Sequence, residues 1–254
     1  MKSKLLLAAA VLAASGLSAH AEFLKQTQTF KTSAGNVDIT PIYHASTMIE
    51  AGGKVIYVDP AKPSDFTGLP KADLILISDI HGDHMDKDAV MRLSKPDTVV
   101  IAPPSVVMTI TNAKPLANGE STKWGKWEIS AIPMYNMVRK NPQNGEFFHT
   151  KGRGDGFILT YGKKRFYFSG DTEAIPEMLA LKNIDVAFIC MFERPTMSPE
   201  EAADAVLKFH PKVVIPYHYG PPPMGSDPKV FAQKLQGSGI DVRLLNWYAN
   251  KASS

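Results

Sequence analysis

Along the chain, short apolar runs alternate with breaks rich in Gly, Pro and Asp. Val37–Ile42 alternates apolar and polar positions, which predicts a strand with one buried face. Thr47–Glu50, Gly52-Gly53 and Lys54–Val58 predict a hairpin whose second strand stops at Asp59-Pro60. Residues 61–72 read as a loop. Asp73–Ser78 (DLILIS) is apolar without alternation, as expected of a central strand covered on both faces. A short helix over Asp86–Leu93 follows, then a strand over Thr98–Ala102 stopped by Pro103-Pro104. A second series begins at Lys126–Met134, which alternates with Trp127, Ile129 and Ala131 on one face. Residues 135–155 are polar and glycine-rich, a loop of a length that usually carries function or disorder. Phe157–Tyr161, Gly162-Lys163 and Arg165–Ser169 predict another hairpin, Ile175–Leu181 a helix, and Val186–Met191 and Val213–Pro216 buried strands. The strongest helix signal lies between those two strands. Ser198 is placed as N-cap, Pro199 at the first helical position and Glu201 at the third, with Ala202, Ala203, Val206 and Leu207 as the apolar stripe. Pro228–Leu235 reads as the last helix and Val242–Trp247 as the last strand.

Strands first, then strands mixed with helices, occur twice. That order predicts two packed sheets with helices outside, an α/β four-layer αββα sandwich in one domain. The composition agrees: 44% hydrophobic and 21% charged residues over 254 positions are ordinary for a globular chain. The first residues change the picture of location. Lys2 and Lys4 precede an apolar run from Leu5 to Ala14, and Ala19-His20-Ala21 supplies a small-x-small cleavage pattern before Glu22. Residues 1–21 are therefore expected to be a signal peptide and 22–254 the exported single domain, periplasmic or secreted. The apolar run is too short for stable insertion across a bilayer, which needs about 20 residues. The formal charge of +3 drops to +1 without the two leader lysines (26 basic against 25 acidic residues), so a nucleic-acid partner is not expected. The single cysteine, Cys190, excludes an intrachain disulfide and a multi-cysteine metal site. It sits in a predicted buried strand and reads as a small hydrophobe.

The chemistry concentrates in Ser78-Asp79-Ile80-His81-Gly82-Asp83-His84, directly after a buried strand. A turn at Gly82 allows Asp79 and His81 to face one way and Asp83 and His84 the other, which suits two adjacent metal ions. Imidazole and carboxylate donors fit zinc, manganese or iron. Further candidate donors also follow predicted strands or lie in the long loop. Asp171 is in Ser169-Gly170-Asp171-Thr172, His218 in Pro216-Tyr217-His218-Tyr219, and His149 in the segment 135–155. Asp59 is expected to accept a hydrogen bond from a ligand histidine or to fix nearby backbone. His44 is either a substrate or outer-shell group or a buried structural histidine. Lys140, Lys151 and Arg153 form either a solvated loop or an edge that attracts a phosphate or carboxylate, and Arg153 is also open as a group behind a metal ligand. Gly152, Gly154 and Gly156 allow a close backbone approach or a mobile lid. His210 is placed to serve the C-terminus of the preceding helix.

Taken together, these motifs resemble the metallo-β-lactamase fold hydrolases, and within them the branch similar to ascorbate-phosphate lactonase. The resemblance runs over roughly residues 36–247. It rests on Asp79, His81, Asp83 and His84, then His149, Asp171 and His218, with Ile42-Tyr43-His44-Ala45-Ser46 and Val58-Asp59-Pro60 as opening segments. It implies two divalent transition metal ions, zinc or manganese with iron also open. One would be held by Asp79, His81 and His149, the other by Asp83, His84 and His218, with Asp171 bridging. Asp83 and His84 would carry the chemistry, with Asp83 also orienting the attacking water. The implied reaction is hydrolysis of a small ester, lactone or phosphoester, with an anionic substrate open. Asp79 stands where the family's first histidine stands, a harder and charged donor that bears on the metal and on the strength of the first site. That departure also supports an alternative, a non-catalytic metal-binding or scaffold protein of the cell envelope. The oligomeric state stays open.

Overall fold

The computed structural model describes residues 26–221 and 223–249. The leader read over residues 1–21 lies outside them. The first half of the chain builds a seven-stranded sheet in chain order: β1 (Gln28–Thr32), β2 (Gly35–Tyr43), β3 (Ser46–Ala51), β4 (Lys54–Val58), β5 (Leu74–Leu76), β6 (Val99–Ala102) and β7 (Lys114–Pro115). The second half builds another: β8 (Ser121–Trp124), β9 (Trp127–Met134), β10 (Gly154–Tyr161), β11 (Lys164–Phe168), β12 (Val186–Cys190), β13 (Val213–Tyr217) and β14 (Asp241–Val242). Each sheet starts as an antiparallel meander and ends in parallel strands, the change falling after β4 and after β11. Parallel neighbours need a crossover. Helices α1 (Lys87–Leu93), α4 (Pro199–Phe209) and α5 (Pro228–Lys234) lie within such crossovers, and the short α2 (Pro104–Val107) and α3 (Pro176–Leu179) follow β6 and β11. The result is the αββα sandwich expected from the element order.

Continuous apolar strands are explained by what covers their two faces. Ile56, Val58, Leu74, Leu76 and Ile101 of the first sheet join Trp127, Phe157 and Leu159 of the second in one core. Their neighbours Tyr57, Ile75, Ile77, Val100 and Ala102 point the other way, against Ala89, Val90 and Leu93 of α1. Successive side chains therefore serve different layers, so both must be apolar. Helix α4 begins as its sequence dictates. Ser198 Oγ accepts from Glu201 N at 3.2 Å, and Glu201 Oε2 accepts from Ser198 N at 2.8 Å. His210 ends it in the left-handed conformation (φ 48°), its N–H donating to the Val206 carbonyl at 2.8 Å.

Several elements differ from the pattern-based expectation. The last strand is Asp241–Val242 alone, not Val242–Trp247. The chain leaves the sheet there because Trp247 is needed elsewhere: it is fully buried against Phe188 and Tyr217, and its carbonyl accepts from His44 N. The strand read over Asp73–Ser78 pairs only at Leu74–Leu76, and the helix read over Ile175–Leu181 is Pro176–Leu179. Strands β1 and β8 carry no clear apolar alternation; β1 buries only Phe30 and β8 buries nothing fully. Strand β10 begins at Gly154, earlier than Phe157. A Cβ at Gly156 would stand 2.8 Å from the Ser169 carbonyl oxygen, and one at Gly154 would stand 2.8 Å from that of Ser78. These glycines serve close backbone approach, the first of the two roles open for them. Residues 135–153 are not featureless either: Lys140 and Phe147 form an isolated antiparallel bridge. Among the described residues no helix is long and apolar enough to cross a membrane.

Candidate metal centre

The candidate donors lie past the C-terminal ends of strands from both sheets or in the loop after β9. His44 follows β2, Asp59 follows β4, the segment Asp79–His84 follows β5, Asp171 follows β11 and His218 follows β13. Open α/β sheets bind ligands at such ends. A turn places the first cluster, with the N–H groups of His84 and Met85 both donating to the His81 carbonyl. Three non-glycine residues here have positive φ: His44 (56°), Asp59 (49°) and His218 (49°). Backbone strain of this kind persists where surrounding structure enforces it. His218 N donates to the His44 carbonyl and His44 N to that of Trp247, which ties two of the three down.

The donors fall into two groups, Asp83–His84–Asp171–His218 and Asp79–His81–His149, each with ligand atoms within 4.8 Å of one another. In the four-membered group, His84 Nε2 is 3.1 Å from His218 Nε2 and 3.3 Å from Asp171 Oδ2. His218 Nε2 is 3.3 Å from Asp171 Oδ1 and 3.4 Å from Asp83 Oδ2. Donors about 2.0–2.1 Å from a tetrahedral ion stand roughly 3.4 Å apart, so this set fits a transition metal. Asp171 Oδ1 is buried and has no hydrogen-bond partner among the described residues, an orphan that a cation satisfies. In the three-membered group, Asp79 Oδ2 is 3.0 Å from His81 Nδ1 and 3.9 Å from His149 Nε2. Asp171 Oδ2 also lies 3.2 Å from His149 Nε2, so its carboxylate touches both groups.

Hydrogen bonds behind the donors orient them. Asp59 does both things expected of it. Its Oδ2 lies 3.0 Å from His84 Nδ1, and it accepts from Ser78 N at 2.6 Å and Ser78 Oγ at 2.7 Å. With Nδ1 held by a carboxylate, His84 presents Nε2 to the centre. His149 is treated likewise by Asn136, whose Oδ1 lies 2.8 Å from His149 Nδ1 and accepts from His149 N at 2.8 Å. Glu173 is buried and in turn fixes Asn136 at 3.1 Å, while accepting from the backbone N–H groups of Met137, Val138 and Arg139. His44 Nδ1 shares a 2.6 Å hydrogen bond with Tyr248 Oη, its Nε2 is 3.2 Å from Asp83 Oδ2, and its ring lies 3.7 Å from that of His218.

Electrostatics follow from this packing. Burial disfavours charge on Asp171, yet the histidines His218, His84 and His149 outweigh it and hold its carboxyl well below the usual range. Burial also opposes a charged His84, but Asp171, Asp83 and Asp59 raise its proton affinity well above an ordinary histidine. Both shifts describe a buried pocket of carboxylates that attracts positive charge. His44 is lowered to about 4, mainly by burial and then by His218. It is therefore neutral at physiological pH.

Asn136, Glu173 and Tyr248 were not legible as site residues. The usable signal was weak: Asn136 lies just past a strand end, and Glu173 sits in the same turn as Asp171. Arg153 takes the place behind a candidate donor rather than one at an open substrate edge. Its Nε donates to Asp79 Oδ1 at 3.0 Å and its Nη2 to Asp79 Oδ2 at 2.8 Å. Lys151 bonds Glu177 at 2.8 Å, and Lys140 lies over the Phe147 ring. The loop cations are thus engaged by their own chain. A separate cavity of about 380 Å³ opens at the opposite end of the sandwich, near the β3–β4 and β8–β9 turns, and none of the clustered donors lines it.

An αββα sandwich with histidine and carboxylate clusters at its strand ends is the arrangement of the metallo-β-lactamase fold. Residues 38–218 match the family described as Beta-lactamase superfamily domain. A UPF0173 metal-dependent hydrolase from Bacillus thuringiensis subsp. konkukian is 32% identical over 210 residues, covering 76% of this chain and 90% of the relative. A crystal structure from Parabacteroides distasonis, named for a metal-dependent hydrolase assignment, superposes with a TM-score of 0.80 at 38% identity, covering 88% and 99% of the two chains. Igni18, a metallo hydrolase from the archaeon Ignicoccus hospitalis, gives 0.69 at 25% identity, covering 83% and 95%. The chain belongs to the β-lactamase superfamily, and it is an enzyme of the superfamily's metal-dependent hydrolase class. The scaffold alternative raised by Asp79 gives way to that membership.

Proposed function

We propose that residues 22–254 form one exported hydrolase domain, periplasmic or secreted, that cleaves a small ester, lactone or phosphoester with a metal-activated water. The observation that carries this reading is the pair of donor groups joined through Asp171. We assign Asp83, His84, His218 and Asp171 to one divalent ion, and Asp79, His81 and His149, with Asp171 shared, to a second. Imidazole and carboxylate donors favour zinc or manganese, with iron also compatible. Bound there, the ions supply Lewis acidity and lower the pKa of water.

The remaining work falls to the protein. Asp83 is the exposed member of its group, with a side chain 44% accessible, whereas His84 and His218 are buried. Its carboxylate is placed to orient the attacking water. His44, held by Tyr248 and packed at a tilt against His218, keeps Asp83 in place with Nε2 and lines the approach to it. Asp59 and Asn136 keep His84 and His149 in the tautomers that leave Nε2 free. Since Lys140, Lys151 and Arg153 are engaged within the chain, an anionic substrate group would be met by the ions. The near-neutral charge of residues 22–254 argues against a nucleic-acid partner, and the likeness to ascorbate-phosphate lactonase favours a lactone first among the substrates to try.

The test is a hydrolysis screen of lactones, carboxylic esters and phosphodiesters on the purified chain loaded with Zn²⁺ or Mn²⁺, alongside elemental analysis. We expect about two ions per chain and turnover that His81→Ala abolishes. A metal-loaded chain that cleaves none of the three classes, or a His81→Ala variant with full turnover, would overturn the assignment. N-terminal sequencing of the exported form, expected to begin at Glu22, tests the location.

A further inference from the structure

Both donor groups contain carboxylates, but among the described residues only one of those carboxylates is tied to a permanent cation. Asp79 is fully buried, and each of its oxygens accepts a hydrogen bond from the Arg153 guanidinium. That guanidinium is itself fixed: Nη1 donates to the Phe148 carbonyl at 2.9 Å, and the Arg153 carbonyl accepts from Ser105 Oγ at 2.5 Å. The oxygen that Nη2 holds, Oδ2, is the same one that faces His81 and His149. Among the described residues, no Lys or Arg nitrogen pairs with Asp83 or Asp171.

We propose that Arg153 is a built-in counter-cation of the Asp79 group, which makes the two metal positions unequal. Asp83, His84, Asp171 and His218 then hold one divalent ion tightly, while Asp79, His81 and His149 hold theirs weakly and exchange it. The inference rests on the metal-dependent reading above and deepens it. An ion beside Asp79 must share Oδ2 with a guanidinium that never deprotonates, and it feels that fixed positive charge at close range. An ion at the other position meets Asp83 and its share of Asp171, neither of them held by a Lys or Arg among the described residues. The Asp–Arg pair has the same net charge as a neutral histidine, which explains how a buried carboxylate is tolerated at Asp79. It does not supply the undivided lone pair that a histidine would.

The experiment is a titration of the metal-stripped full chain with Zn²⁺ and with Mn²⁺, followed by calorimetry and by elemental analysis after dialysis. We expect two steps separated at least tenfold in affinity. His149→Ala should remove the weaker step and leave the tighter one. Arg153→Met should tighten the weaker step by tenfold or more with little change in the other. If that variant does not fold, Arg153→Lys, which keeps the charge but gives up the two-pronged contact, should tighten the weaker step by less. Two steps of equal affinity in the native chain, or a weaker step that loosens or stays unchanged in the Arg153 variants, would overturn the inference and leave the hydrolase reading standing. Failure of the native chain to bind either metal would overturn both.

Discussion

His149 comes from a loop that pattern reading leaves shapeless, yet its ring is 1% exposed and aimed at Asp171. What places it is Asn136, a residue with no motif of its own. The Asn136 amide donates to Glu173 Oε1 at 3.1 Å and to the Pro195 carbonyl at 2.8 Å, so its oxygen has to face His149. Asn136→Ala should therefore leave the chain folded and weaken metal binding at the His149 position by roughly 10–100-fold, the usual cost of losing an orienting partner. Metal titration checks this; unchanged affinity would show that the loop alone fixes the ring. His84→Ala should be more severe, because His84 touches His218, Asp171 and Asp59 at once, and it should remove the tightly held ion along with turnover. Elemental analysis reads that directly, and full occupancy in the variant would mean that His84 is not a ligand. The grouping of Asp79, His81, Asp83, His84, His149, Asp171 and His218 was visible in the chain because chemically distinctive side chains follow recognisable strands or stand out in a polar loop. The Asn136–Glu173 relay and the Arg153–Asp79 pair were not. They join positions 37 and 74 residues apart through common polar residue types.

At the scale of elements, the signals that worked were local ones. Helix α4 announces its own start through Ser198, Pro199 and Glu201, and the hairpin turn at Gly52-Gly53 announces β3 and β4. Edge strands lack such signals because one side faces solvent: β1 and β8 hold pairing without a regular apolar face. Apolar residues at 242–247 misled for the opposite reason, since Trp247 is buried by docking beside the site rather than by pairing. Two substitutions test these distinctions. Ser198→Ala removes one side of the capping box and should cost about 1 kcal/mol in denaturant unfolding, with metal content unchanged. Gly156→Ala should behave quite differently. Its Cβ would meet backbone, at 2.8 Å from the Ser169 oxygen and 3.0 Å from that of Phe168, and backbone cannot swing aside. Strand β11 must shift to admit the methyl group, and β11 carries Asp171 beyond its end. The variant should thus lose stability and metal together. A stable Gly156→Ala chain with full metal content would show that β11 and the centre are not coupled in this way.

Across the whole molecule, the two sheets must meet at the strand ends for the centre to exist, and Asp155 sits at that meeting. Its N–H, on β10 of the second sheet, donates at 2.9 Å to the carbonyl of Ser78, the residue before Asp79 in the first half. Its carboxyl is fully buried, with Oδ1 accepting from Asn118 and Oδ2 lacking a partner among the described residues. Burial pushes this carboxyl up to about 7; the Asn118 hydrogen bond opposes the rise and Glu120 adds to it. An unfolded chain releases the same proton near pH 3.9. Between those values the folded state holds a proton that the unfolded state has lost, so stability falls as pH rises from about 4 and reaches its full loss above about 7. Asp155→Asn keeps an oxygen for Asn118 and cannot ionise. The variant should melt near the native chain at pH 4 and several degrees above it at pH 8, a gain of up to about 4 kcal/mol. Melting curves of metal-stripped protein at the two pH values isolate this effect from metal binding. Parallel shifts at both would mean that Asp155 stays ionised throughout, and that the joint between the sheets tolerates a buried charge.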